Sequence, residues 1–225
     1  MPLDGNTQGR RAGRIMTLGG LCLAVLAAVL TIAFGTTDRA QGASSSLQAK
    51  IEYCKTCHGL SAQGYHGFYP IPRLAGQQAQ YIENQLLAFS EGRRKNTYMY
   101  PVAHSLSHEQ QVALAKYFST LNAKPMGGAP RSLVGAGKTI YEEGDPNANV
   151  PACMACHGGE AKGQGEIPRL AGQLPDYVFN KLVNWNRERG QDPHRPDISA
   201  IMLPTSHNLS KSQIRAVAAY VNHLP

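Results

Sequence analysis

The sequence predicts an all-α protein: two small helical domains in tandem behind an N-terminal apolar helix. Apolar residues recur at helical spacing in both halves, while β-branched alternation is sparse. The heptapeptide IPRLAGQ stands at Ile71–Gln77 and again, letter for letter, at Ile167–Gln173, which marks one structural unit written twice. No charged residue occurs from Ile15 to Thr37, a run able to cross a hydrocarbon core of about 30 Å as a helix.

The first segment, residues 1–40, is a membrane anchor or signal segment. Arg10, Arg11 and Arg14 precede the apolar run and place the N-terminus in the cytoplasm and the rest outside. A cleaved signal has an apolar core of about 7–15 residues and a small-residue cleavage site. Here the run is longer and TTDRAQGA is a poor site, so a retained anchor in the inner membrane is the expectation, with a soluble exported form after cleavage as the alternative. Cys22 lies inside this run as a buried thiol. After residue 40 there are 18 Lys/Arg against 13 Asp/Glu, a net of +5. No basic block marks a nucleic-acid surface.

The exported part divides into residues 46–122, a linker at 123–131 where KPMGGAP interrupts the pattern, and residues 132–225. Domains this small sit near the size at which a hydrophobic core needs help from a metal or cofactor. Short entry helices are expected at 46–54 and 137–143. Middle helices follow at 79–91 and 175–189, ending at Gly92 and Gly190. Each half closes on a helix opened by a capping box, Ser107-x-x-Gln110 and Ser210-x-x-Gln213. Between Gln173 and Met202 lie 28 residues, against 21 between Gln77 and Met99. The extra seven are assigned to the loop RGQDPHRPD.

The chemistry lies in the four remaining cysteines, Cys54-Lys-Thr-Cys57-His58 and Cys153-Met-Ala-Cys156-His157. C-x-x-C-H is the attachment pattern for c-type haem: two thiols add across the vinyl groups and the next residue, His58 or His157, gives an axial nitrogen to iron. A four-cysteine zinc site, disulfides or a thioredoxin-like redox pair are the competing readings. Zinc does not need a histidine after each pair, and the redox pair expects a βαβ context that is missing. For the sixth ligand, Met99 and Met202 stand in matched frames, MYPVAHSLS and MLPTSHNLS, where a rigid proline turn is expected to present the thioether. His104 and His207, repeated in the same frames, are the alternative and would lower the potential.

Two C-x-x-C-H motifs, each followed by P-R-L-A-G-Q, a helix and M-x-P, resemble the cytochrome c4 family of dihaem electron carriers over about residues 46–225. The resemblance implies two class I cytochrome c-like domains, each with a covalent haem c, the haems facing one another. It also implies transfer of electrons from a quinol-oxidising complex toward a terminal oxidase on the periplasmic side of the membrane, with no enzymatic step. A haem subunit of a membrane oxidoreductase and a dihaem peroxidase are the alternatives. A proline carbonyl in such domains accepts a hydrogen bond from the ligating histidine, which assigns that role to Pro72 and Pro168. Arg73 and Arg169 are expected to pair with haem propionates, Leu74 and Leu170 to cover the rings, and Gly76 and Gly172 to allow close approach.

Overall fold

Helix α1, residues 46–58, brings Leu47, Ile51 and Cys54 to one face at i, i+4, i+7 spacing. There they pack against Leu114, Ala115 and Phe118 of α4, His108–Thr120. The computed structural model describes residues 46–189 and 198–225. The apolar segment at 15–37 therefore lies outside the described residues, as do residues 190–197, where the extra loop is expected. Among the described residues no helix is long and apolar enough to cross a membrane. There is also no strand there, only isolated bridges.

Between α1 and α4 lie α2, Ala79–Ser90, which packs on α4, and the short α3, Met99–His104. The second half repeats the plan: α5, Val134–Glu143, crosses α10, Lys211–His223, and α7, Pro175–Val183, packs on α10. Its core gathers around Tyr141, Val217, Ala218 and Val221. Both capping boxes form, with Ser107 Oγ accepting from Gln110 N and Ser210 Oγ from Gln213 N, each at 3.3 Å. Residues Leu47–Pro225 make up one compact unit.

The halves differ where the sequence suggests likeness. In the first, one continuous helix carries the whole of Cys54–His58. In the second, α5 stops at Gly144, whose φ of +76° favours glycine, and a separate one-turn helix α6, Met154–His157, carries the motif. Pro146–Ala148 forms a 3₁₀ turn between them, with Asp145 accepting from Asn147 N at 3.1 Å. The expected helix 175–189 breaks at Asn184, whose amide donates to Asn180 O at 2.9 Å, and resumes as α8, Trp185–Glu188. The rigid M-x-P turn is a further correction. Met99 begins α3, and Met202 begins α9, Met202–Asn208, so the proline falls in the first turn of each helix, where it is tolerated.

Candidate haem centres

His58 and His157 are 7% and 6% exposed, and each ring is fixed by one bond. His58 Nδ1 lies 2.8 Å from Pro72 O and His157 Nδ1 2.9 Å from Pro168 O. A carbonyl can only accept, so Nδ1 carries the proton and the Nε2 lone pair stays free. Burial pushes both imidazoles below their usual pKa, against the pull of the proline carbonyls. They are held neutral, the form that binds a metal. Cys54 and Cys153 are half-buried and burial raises each thiol to about 11, while Cys57 and Cys156 are exposed. Among the described residues no three His, Cys, Asp or Glu side chains converge to hold a bare ion.

One cavity of about 1620 Å³ is lined by both motifs and by Met99 and Met202. A single small-molecule site occupies about 300–1,000 Å³, so this cavity has room for two cofactors. Its wall is mostly apolar, with Leu74 and Leu170 among the lining residues. His104 and His207 are exposed and do not line it. Of the two repeated ligand candidates in each half, the methionine therefore lies at the cavity and the histidine outside it.

The heptapeptides meet each other. Gln77 Oε1 accepts from Arg169 N at 2.7 Å and Gln77 Nε2 donates to Arg169 O at 2.9 Å. Gln173 does the same to Arg73, accepting from its N at 2.9 Å and donating to its O at 3.1 Å. These glutamines are 6% and 5% exposed. Sequence reasoning passed over them; their only signal was their identity in both copies. Gly76 and Gly172 also have another reason than the expected approach to the ring. Their N–H groups donate to Phe118 O at 3.0 Å and Val221 O at 2.8 Å, the last turns of α4 and α10. A Cβ there would meet Leu121 O at 3.2 Å or Pro125 Cγ at 2.9 Å.

Arg73 and Arg169 each bond a carbonyl of their own heptapeptide, Arg73 Nε to Ala75 O at 2.9 Å and Arg169 Nε to Ala171 O at 3.0 Å. Burial, and then Arg169 nearby, push Arg73 down to about 10. Two cavity-lining donors, Arg73 Nη1 and Trp185 Nε1, are buried without a protein acceptor. Cations and orphaned donors beside an apolar cavity fit the carboxylate edge of a haem. A second basic pair lies on the same wall: Arg94 bonds Gln85 Oε1 at 2.7 Å and Tyr177 Oη at 2.8 Å, and Arg189 bonds the same Gln85 oxygen and, at 3.2 Å, Tyr81 Oη. Arg94 lies over Phe89 and Arg189 over Trp185, each at 4.5 Å, a twofold-like arrangement that the sequence reading also missed.

The cytochrome c family matches residues 48–122 and 134–225, one match in each half. A cytochrome c4 of Thiocapsa roseopersicina is 36% identical over 76% of this chain and 86% of its own. The solved cytochrome c4 of Acidithiobacillus ferrooxidans superposes with a TM-score of 0.64 at 35% identity, over 76% of this chain and 98% of that one. The chain belongs to the dihaem cytochrome c4 family. It is accordingly a dihaem electron carrier, with two haem c groups bound covalently at the motifs Cys54/Cys57 and Cys153/Cys156. A further relative, a thiosulfate dehydrogenase electron acceptor of Stutzerimonas stutzeri, is 36% identical over 74% of this chain and 76% of its own.

Proposed function

We propose that this cytochrome c4-family chain uses His58 with Met99 in the first half and His157 with Met202 in the second as axial ligands. It passes single electrons from a quinol-oxidising complex toward a terminal oxidase on the periplasmic side of the inner membrane. The observation that carries the reading is the arrangement repeated in both halves. Each has a buried neutral imidazole committed through Nδ1 to a proline carbonyl and a methionine at the same cavity, with the repeated histidine outside.

Bound haem supplies a one-electron iron couple whose potential is raised by methionine ligation. The chain does the rest. His58 and His157 stay neutral and oriented; the apolar wall excludes water; Arg73 and Arg169 balance the propionates. Held by His58 with Met99 and by His157 with Met202, the two groups would have no coordination site left for a substrate, which favours a carrier over a peroxidase. The residue range 123–131 links the two domains, 46–122 and 132–225, and residues 1–40 tether or export them.

A second donor is favoured by one comparison: the relative named as an electron acceptor of thiosulfate dehydrogenase makes such an enzyme a candidate source of electrons for this chain. Stopped-flow reduction by each purified donor separates the two routes, the physiological donor giving a saturable, salt-dependent rate. Axial closure is tested by carbon monoxide. The reduced wild-type protein should not bind it rapidly at neutral pH, whereas Met99→Ala and Met202→Ala should each open one haem to it. Rapid binding by the wild type, or unchanged closure in both variants, removes the methionine assignment.

A further inference from the structure

The proximal histidine of each half is wired to the other half through a single peptide group. The carbonyl of the Pro72–Arg73 peptide accepts from His58 Nδ1, while the N–H of that same peptide donates to Gln173 Oε1, a residue of the second half. The Pro168–Arg169 peptide repeats this, its carbonyl facing His157 and its N–H facing Gln77 of the first half. Oxygen and N–H belong to one conjugated planar unit. We propose that Gln173 and Gln77 are crossed positioning residues: each sets the proximal ligand, and hence the reduction potential, of the haem in the opposite half.

The proposal rests on His58 and His157 being axial ligands. Given that, the direction of the effect follows from hydrogen-bond polarisation. An acceptor on the peptide N–H shifts electron density toward the peptide oxygen, and chained hydrogen bonds strengthen one another by about 10–30%. The proline oxygen then accepts more strongly from Nδ1–H, and the imidazole becomes the more basic ligand. A more basic ligand favours the oxidised iron, so each glutamine lowers the potential of the haem across the seam.

Three features make these glutamines suited to the task. Both are buried, so water does not replace them. Each amide is locked in orientation by a second donor onto the same oxygen, Gln78 N at 2.9 Å for Gln77 and Leu174 N at 3.0 Å for Gln173, which leaves no flipped alternative. Each also returns a bond to the carbonyl of the same arginine, so the contact is two-pronged and holds the peptide plane. Gln173 is braced further by Asn222, whose amide donates to Gln173 O at 2.9 Å.

The test uses the full holoprotein with Gln173→Met and Gln77→Met, which keep the side-chain volume and remove the carbonyl. Intact mass and thermal unfolding first establish that both haems are attached and the chain is folded. Met99→His assigns the first-half couple in the titration. Gln173→Met should raise the first-half potential and leave the second unmoved, and Gln77→Met should do the reverse. In the reduced protein, Gln173→Met should move the His58 Nδ1–H resonance upfield without moving that of His157. A shift of the same-half haem, of both haems together, or of neither overturns the proposal. Loosening of the seam alone does not produce the crossed pattern. Failure of the ligand assignment is seen separately: the wild-type protein would then lack ring-current-shifted Nδ1–H signals, before any glutamine is changed.

Discussion

Replacing Gly137 with alanine should destabilise the second half, whereas replacing Gly135, two residues earlier in the same helix, should not. Both glycines lie in α5, Val134–Glu143, and alanine favours a helix interior over glycine by about 1 kcal/mol. The difference is in what a methyl group would meet. At Gly137 it would overlap Ala216 O, come within 2.5 Å of Ala216 C, and lie 2.8 Å from Tyr220 Cβ. At Gly135 it would meet nothing within 4 Å. Ala216 is backbone of α10, so the clash cannot be relieved by a rotamer change; the two helices must move apart. Overpacking of this kind costs about 1–3 kcal/mol and sometimes more, and separation would also loosen Tyr141, Val217 and Val221 in the core beneath. The expectation is a loss of about 2 kcal/mol for Gly137→Ala and a gain of up to about 1 kcal/mol for Gly135→Ala. Urea unfolding of the two variants, followed by helix signal, gives the comparison. Equal stability would falsify the close crossing of α5 and α10.

Two further predictions concern single side chains. Gln213 serves its capping box and also donates to Asp145 Oδ2 at 2.7 Å, so Gln213→Ala should cost about 1 kcal/mol more than Gln110→Ala in thermal unfolding; equal costs would mean that the Asp145 contact contributes nothing. Arg73→Gln should lower the first-half potential by tens of millivolts. A buried positive charge acting through an effective dielectric of about 20 stabilises the reduced iron by on the order of 1 kcal/mol, and about 59 mV corresponds to a factor of ten in a one-electron couple. A redox titration with no shift would return Arg73 to a purely structural role.

Much of this was legible because the relevant signals are local. A capping box needs only residues three apart, and C-x-x-C-H needs only five in a row, so both could be read without tertiary knowledge. The helix break at Asn184 was less visible, since a side chain bonding Asn180 O competes with the helix ladder in a stretch whose apolar pattern continues. The M-x-P segments misled because proline suggests a turn, yet in a first helical turn it is tolerated. The crossed glutamines and the Arg94–Gln85–Arg189 cluster were illegible for a different reason. Their partners in the other half lie 83 to 108 residues away in sequence, and one sequence alone has no means of pairing them.

The seam also explains why IPRLAGQ could be kept in both halves. In a twofold-like contact, a segment that touches its own copy must be self-complementary: what residue i offers, residue j must accept, and the reverse. Arg73 meets Gln173 while Arg169 meets Gln77, so a change in one copy leaves an unpaired buried amide in the other. The same identity means that the heptapeptides cannot by themselves make the two haems different. Any difference in potential must come from what is not repeated. The first motif sits in a continuous helix and the second in an isolated turn. Arg73 is buried while Arg169 is only half-buried and reaches Pro225 O at 2.6 Å. The first half alone carries the exposed Phe68 and Tyr69, edge to face at 4.9 Å, in a path from motif to heptapeptide that is three residues longer than its counterpart. If both arginines act on the haem of their own half, the deeper Arg73 is expected to raise the first-half potential more than Arg169 raises the second, because a charge withdrawn from water is screened less. The first-half haem is therefore the expected site of higher potential, where an electron shared between the two comes to rest.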